Sequence, residues 1–343
     1  MKHTLLQATL IILAIWMAFL PGCTSTDSKT SQLSTEPDEF RVLEENTIIN
    51  LYDAFGHDKP GLQKDFGFSC ILKFRGQTIL FDAGSNADIF RQNVEALNID
   101  LREIDFVVAS HAHFDHINGF DHLLEVHPEV PIYFPFDFFW GANVPFNLAG
   151  AEASVADSLQ PEMRYFDGDF ASYSFNQTGR FWNANIEFVR ENTEISEGIT
   201  LITTASPYLG YFNKYPSLRQ EGTATSDGDD ATANFIELQE LSLSLRTDDG
   251  EVVIVGCSHS TVETIIAATR AQTENDISLV YGGYHLLPYA RSDLQSLAVR
   301  LQEEHGVQRV APAHCTGHLA FRILKTQFGQ DYLFAGLGEV TAF

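Results

Sequence analysis

Basic residues are scarce in this chain: 21 Lys and Arg stand against 46 Asp and Glu, a formal net charge of −25. Nothing in it gathers the Lys and Arg that phosphate-backbone binding needs, which argues against nucleic acid as a partner and against attraction to anionic lipid. Cysteine is nearly as rare, with only Cys23, Cys70, Cys257 and Cys315. Setting Cys23 aside leaves an odd number, so a disulfide framework does not organise the fold, although a Cys257–Cys315 pair stays open. There is no internal repeat, and only one long apolar run, Leu5 to Leu20. Histidine is missing altogether between Pro128 and Ser258. Any imidazole cluster must therefore be assembled from two separated parts of the chain.

The apolar run follows a single charged residue, Lys2, is interrupted by Gln7 and Thr9, and ends at Leu20-Pro21-Gly22-Cys23. A membrane-spanning helix needs about 20 apolar residues, so residues 1–22 read as a cleaved export signal. Loss of Lys2 with that segment would take the net charge from −25 to −26. The end of the run resembles a bacterial lipobox, in which cleavage leaves Cys23 lipidated; an uncleaved anchor and plain secretion are the alternatives. The expectation is a membrane-anchored lipoprotein exposed on the periplasmic or cell-surface side. A polar, Ser/Thr-rich linker, 23–40, would tether a body of residues 41–343.

Within that body the densest chemistry is Ser110-His111-Ala112-His113-Phe114-Asp115-His116-Ile117-Asn118-Gly119. It follows the apolar run 104–109, which reads as a buried strand. On an extended chain His111 and His113 point the same way and can hold one cation, while Asp115 and His116 in the following turn can reach a second. Three histidines in six positions, from a total of 12, are too concentrated for a chance polar loop.

Upstream, 47–53, 69–74 and 78–84 read as strands of a hairpin-rich sheet. Asp82 ends the last of them ahead of Ala83-Gly84, either as a turn residue or as a carboxylate that orients a ligand histidine. A helix near 87–97, the strand at 104–109, a helix near 120–126 and a strand at 130–134 imply parallel crossovers. The aromatic run Phe134 to Trp140 could be core or could line a substrate mouth. An irregular insertion spans about 136–230. Beyond it, three strands each exit into a histidine: 251–256 into Cys257-Ser258-His259, 277–281 into Gly282-Gly283-Tyr284-His285, and 307–312 into Ala313-His314-Cys315. Helices near 261–272 and 292–305 separate them, so parallel neighbours could bring the three exits to one sheet edge. His305 suits a helix C-terminus, and His3, His57, His122, His127 and His318 are left outside the site.

These motifs resemble the metallo-β-lactamase superfamily. Phe81-Asp82-Ala83-Gly84 matches its first motif, His111-Ala112-His113-Phe114-Asp115-His116 its metal-binding signature, and the later loops its C-terminal ligands. Gly256-Cys257-Ser258-His259, Gly282-Gly283-Tyr284-His285-Leu286 and His314-Cys315-Thr316-Gly317 look like the branch named for 7,8-dihydropterin-6-yl-methyl-4-(β-D-ribofuranosyl)aminobenzene 5′-phosphate synthase. The likeness runs from about 47 to 343 and is weaker from 141 to 230. It implies a four-layer αββα sandwich with two divalent metal ions, zinc foremost and Mn, Fe or Mg as alternatives, at the sheet edges. His111 and His113 would hold the first ion and Asp115 and His116 the second; His314 matches the last histidine, and His259 completes the set. The usual late bridging carboxylate is missing. Cys257 stands where it would be, as a bridging thiolate or a buried neutral thiol, and His285 is either a ligand or a substrate contact.

Two such cations lower the pKa of a shared water and polarise the bond under attack, with Asp115 orienting the nucleophile and moving its proton. The expectation is hydrolysis of an ester, phosphoester or related bond in a small molecule. The alternatives are a carbon–nitrogen bond-forming transferase of the dihydropterin branch, and a non-catalytic ligand-binding module on the same fold.

Overall fold

The apolar runs are strands whose two faces are both buried, which is why they read as continuous hydrophobic stretches. In β1 (Thr47–Tyr52) Ile48 faces one core while Ile49 and Leu51 face another, and in β2 (Ser69–Phe74) Cys70 and Leu72 oppose Ile71 in the same way. The computed structural model describes residues 40–136, 144–145, 174–175, 181, 183–206, 238–287 and 289–343. The export signal, Cys23, nearly all of the linker and residues 137–140 of the aromatic run lie outside them.

The chain continues through β3 (Gln77–Phe81), α1 (Ala87–Ala96), β4 (Phe106–Val108), α2 (Phe114–Ile117), α3 (Phe120–Val126) and β5 (Ile132–Pro135). A two-residue pair follows, β6 (Val144–Pro145) with β7 (Ser174–Phe175), then β8 (Ile186–Val189), β9 (Thr193–Ser196), β10 (Ile199–Ser206), β11 (Leu238–Thr247) and β12 (Gly250–Val255). The last part holds α4 (Val262–Thr273), β13 (Ile277–Gly283), α5 (Arg291–Val299), β14 (Arg309–Ala313), α6 (His318–Phe328) and β15 (Val340–Ala342).

Two sheets result, in the orders β15-β1-β2-β3-β4-β5-β8 and β14-β13-β12-β11-β10-β9. Ile48, Leu72 and Phe81 of the first, with Phe68 just ahead of β2, pack with Leu201, Leu243, Ile254 and Tyr281 of the second to form the core between them. Phe90, Val94, Phe120 and Leu123 cover the outer face of the first sheet, and Ile265, Leu297, Ile323 and Leu324 that of the second. Helix, sheet, sheet, helix is the four-layer αββα sandwich that the sequence implied.

Two expectations change. Residues 186–206, inside the stretch read as an irregular insertion, form β8, β9 and β10 of the sandwich. Their polarity misleads because β8 and β9 are outermost strands, where Glu187, Thr193 and Glu194 meet solvent. The helix near 292–305 is α-helical only to Val299, after which Arg300–Glu304 widen into a π-helical turn.

The sheets set the site. β3, β4 and β5 are parallel neighbours, as are β12, β13 and β14. Every loop carrying a candidate ligand leaves the C-terminal end of one of these strands, as the position of sites in open α/β sheets requires.

Candidate metal centre

β4 runs out through Ala109 and Ser110 into His111, where the chain stays extended to His113 before α2 begins. His111 Nε2 consequently lies 3.1 Å from His113 Nδ1. The loop after β12 brings His259 Nε2 to 3.2 Å from the same His111 nitrogen. In the turn of α2, Asp115 and His116 point to a second position: His116 Nε2 is 3.1 Å from Cys257 Sγ and 3.7 Å from Asp115 Oδ2. His314, after β14, places Nε2 3.3 Å from Asp115 Oδ2. All six residues proposed from sequence, His111, His113, Asp115, His116, His259 and His314, therefore converge. Cys257 is common to both positions, its sulfur within 4.8 Å of the donor atoms of Asp115, His116 and His314 and of those of His111 and His259.

The rear of the cluster is fixed by hydrogen bonds. Asp82 Oδ1 accepts the Ser110 N–H at 2.7 Å, and its Oδ2 takes the Ser110 hydroxyl at 2.7 Å and meets His116 Nδ1 at 2.6 Å. Ser110 Oγ in turn lies 2.8 Å from His111 Nδ1. With Nδ1 occupied, both rings present Nε2 to the site. Asp82 holds this position in a left-handed conformation, φ 55°. Gly256 leaves room for Ser110, whose Oγ a Cβ at 256 would strike. Asp82 is thus the orienting carboxylate, not merely a turn residue.

Two further buried carboxylates support the ligand loops, and both escaped the sequence reading. Glu240 of β11 accepts the N–H groups of His259 and Ser260, each at 2.7 Å. Asp53, just past β1, accepts the His314 N–H at 3.0 Å and the Asn50 amide at 3.0 Å. Burial raises both carboxyls, Asp53 to about 7. Neither neighbours a histidine in sequence, and no local signal marks them.

Electrostatics suit cation binding at the His111–His113 position. At His314, by contrast, burial is outweighed by Cys315 and Asp115, which raise the imidazole well above the ordinary histidine range, so an ion there must displace its proton. Burial and neighbouring imidazoles push His111 well below the ordinary histidine range and His113 to about 4, so their rings are neutral with lone pairs available. Burial alone would raise Asp115, but His116 and His314 outweigh it and keep the carboxylate ionised. Burial likewise opposes the Cys315 thiolate, yet its hydrogen bond with Cys257 and the charge of His314 pull that thiol down, while Cys257 is pushed up.

The arrangement fits divalent ions. Zinc–nitrogen bonds of 2.0–2.1 Å in a tetrahedron put ligand atoms about 3.3 Å apart, close to the 3.1 and 3.2 Å among His111, His113 and His259. His259 Nδ1 is buried with no hydrogen-bond partner among the described residues, so only its opposite nitrogen has company, the other imidazoles. His285 sits beside the cluster, its ring 4.0 Å from that of His259. Phe66, 45% exposed, lies over His314 with ring centroids 4.9 Å apart and forms an apolar rim. Three of the histidines set aside are engaged elsewhere: His57 pairs with Glu339, His122 with Glu125 and His305 with Glu263.

The chain matches the family model of the metallo-beta-lactamase superfamily over residues 64–195. It is 24% identical over 301 residues to 7,8-dihydropterin-6-methyl-4-(beta-D-ribofuranosyl)-aminobenzene-5′-phosphate synthase of Methanocaldococcus jannaschii, covering 85% of this chain and 94% of that protein. It is 23% identical over 302 residues to the uncharacterized protein MJ0448 of the same organism, covering 88% and 98%. Among solved structures, Tm1679, a metal-dependent hydrolase of the beta-lactamase superfamily, superposes with a TM-score of 0.59 at 24% identity, covering 87% of this chain and 98% of the other.

Proposed function

We propose that this chain, which has the metallo-β-lactamase fold and matches that superfamily's family model, is a hydrolase dependent on two divalent cations that cleaves an ester, phosphoester or related bond of a small molecule. The observation that carries the reading is the convergence of His111, His113 and His259 beside Asp115, His116, His314 and Cys257, with His111 and His116 fixed from behind. His111, His113 and His259 would hold the first ion, and Asp115, His116 and His314 the second, with Cys257 between them. Imidazole and thiolate donors favour zinc over magnesium.

Cations in these positions supply Lewis-acid polarisation and lower the pKa of water. The protein's own part is positional. Asp115, ionised and on the inner wall, takes the proton of the attacking water and delivers it to the leaving group. The Ser110–Asp82 pair holds the His111 and His116 rings in one tautomer, so no reorganisation is needed at the moment of reaction. An apolar part of the substrate packs against Phe66. The sequence of residues 1–23 fits a body tethered outside the cytoplasm through Cys23.

The test is metal analysis of the purified chain followed by release of p-nitrophenol from phosphomonoester, phosphodiester and carboxylester probes. Zinc-dependent release from at least one probe supports the hydrolase. The similarity to the Methanocaldococcus synthase across 85% of this chain favours a second reading, a transferase. Turnover only with a pterin donor and an arylamine acceptor would establish it. Tightly held metal with no turnover on any of these would leave a ligand-binding module.

A further inference from the structure

We propose that Cys257, His285 and Cys315 form a thiolate-rich ligand set for one thiophilic cation, adjoining the histidine-lined positions. The parallel strands β12, β13 and β14 lie side by side, with Val255 opposite Gly282 and Gly283 opposite Ala313. Their exits place one donor each at the same level: Cys257 after β12, His285 after β13 and Cys315 after β14. The three donor atoms fall within 4.8 Å of one another.

The two sulfurs are 3.4 Å apart and unbonded. Two thiolates on one tetrahedral zinc at 2.3 Å would be separated by about 3.8 Å, whereas a disulfide closes to about 2.0 Å. The observed spacing is nearer to that of co-ligands than to that of a disulfide. His314 and Cys315 are consecutive in a single tight turn, so they diverge, His314 toward Asp115 and Cys315 toward Cys257. The turn is held open to the site by positive φ at His314 (48°) and by Gly283, where a Cβ would come within 3.0 Å of Cys315 Sγ. His285 is likewise left-handed, φ 54°, and its own N–H donates to Cys315 Sγ at 3.2 Å. Ser258, beside Cys257, is left-handed too (φ 61°), and strain of this kind at three adjoining ligand loops is characteristic of a functional site.

Two sulfurs and one imidazole select zinc, cadmium or copper(I) and discriminate against magnesium and manganese. The set shares Cys257 with the dinuclear reading and deepens it, but needs no turnover of any substrate.

The full chain, stripped with a chelator and titrated with cadmium, reports thiolate ligation through sulfur-to-metal charge-transfer absorption. Cys315→Ser should remove about half of the wild-type band and His285→Ala should weaken cadmium binding at least tenfold. Cys70→Ser, which alters a buried thiol in the core between the sheets, should leave the band unchanged. A full-strength band in Cys315→Ser would overturn the proposal. X-ray absorption of wild-type chain carrying one equivalent of cadmium needs no variant: two sulfur neighbours are expected, and one or none refutes the assignment. If p-nitrophenyl probes are hydrolysed while Cys315→Ser keeps its band, the hydrolase reading stands and this inference falls. If the band halves and no probe is hydrolysed, the reverse holds.

Discussion

The Asp82 carboxylate meets the His116 ring at 2.6 Å between Oδ2 and Nδ1, and both side chains are fully buried. The pair fixes which nitrogen of His116 faces Cys257, and through Ser110 the same carboxylate reaches His111. Asp82→Asn keeps the volume but replaces one acceptor oxygen by an amide NH2. Zinc affinity should fall about 10- to 100-fold, measured by competition with a chromophoric chelator. Affinity equal to wild type would reduce Asp82 to a turn residue.

His113 and His305 test the cluster from opposite sides. His113 contributes Nδ1 to the three-imidazole face, whereas His305 Nε2 lies 3.3 Å from Glu263 at the far end of a helix. His113→Ala should strip at least one equivalent of metal and abolish turnover, while His305→Ala should leave metal content at the wild-type value. Elemental analysis of both proteins decides it, since loss from His305→Ala would show that metal content follows general stability.

What the sequence disclosed and what it concealed divide along contact distance. His111, His113, Asp115 and His116 are legible because strand and turn periodicity alone bring them together. His259, His285 and His314 are legible because each follows an apolar run, and parallel strands align such exits. Asp53 and Glu240 are not: they act on backbone N–H groups 261 and 19 residues away, and a lone carboxylate near a strand end looks like any surface acid. β8 and β9 are hidden because outermost strands are half polar. Cys315 stood in plain view, but only the fold brings it to 3.4 Å from Cys257.

Glu240 offers the test of that concealed layer. Its two oxygens satisfy the N–H groups of both His259 and Ser260 at a buried turn. Glu240→Ala leaves two buried donors unpaired, at about 1–3 kcal/mol each, and frees the loop that carries a ligand. Denaturant unfolding should show a loss of about 2–6 kcal/mol on that basis, accompanied by weaker binding of the first ion. Glu240→Gln, retaining one acceptor, should fall between the two.

Cys23→Ser addresses location. The proposed lipid attachment is at Cys23, at the end of the apolar run and ahead of a polar stretch. The variant should move from the membrane to the soluble fraction on cell fractionation. Continued membrane association would indicate an uncleaved N-terminal helix instead.

Glu263 provides a pH-dependent test of stability away from the candidate metal centre. Its carboxylate receives the Arg300 guanidinium through Nε at 2.8 Å and a second nitrogen at 3.0 Å, with His305 Nε2 at 3.3 Å. Burial would raise its pKa, but the Arg300 hydrogen bonds prevail and hold it below the ordinary glutamate value. A carboxyl depressed in the folded state binds fewer protons there than in the unfolded chain, so it adds stability above the unfolded value of about 4.3 and loses that contribution as pH falls through the folded one. Glu263→Gln should therefore cost about 1.5–3 kcal/mol at pH 7, and the gap to wild type should narrow below about pH 4.3. Urea unfolding of both proteins at pH 7 and near pH 3.5 measures it; a gap that stayed constant across that range would show that the ion pair adds nothing beyond packing.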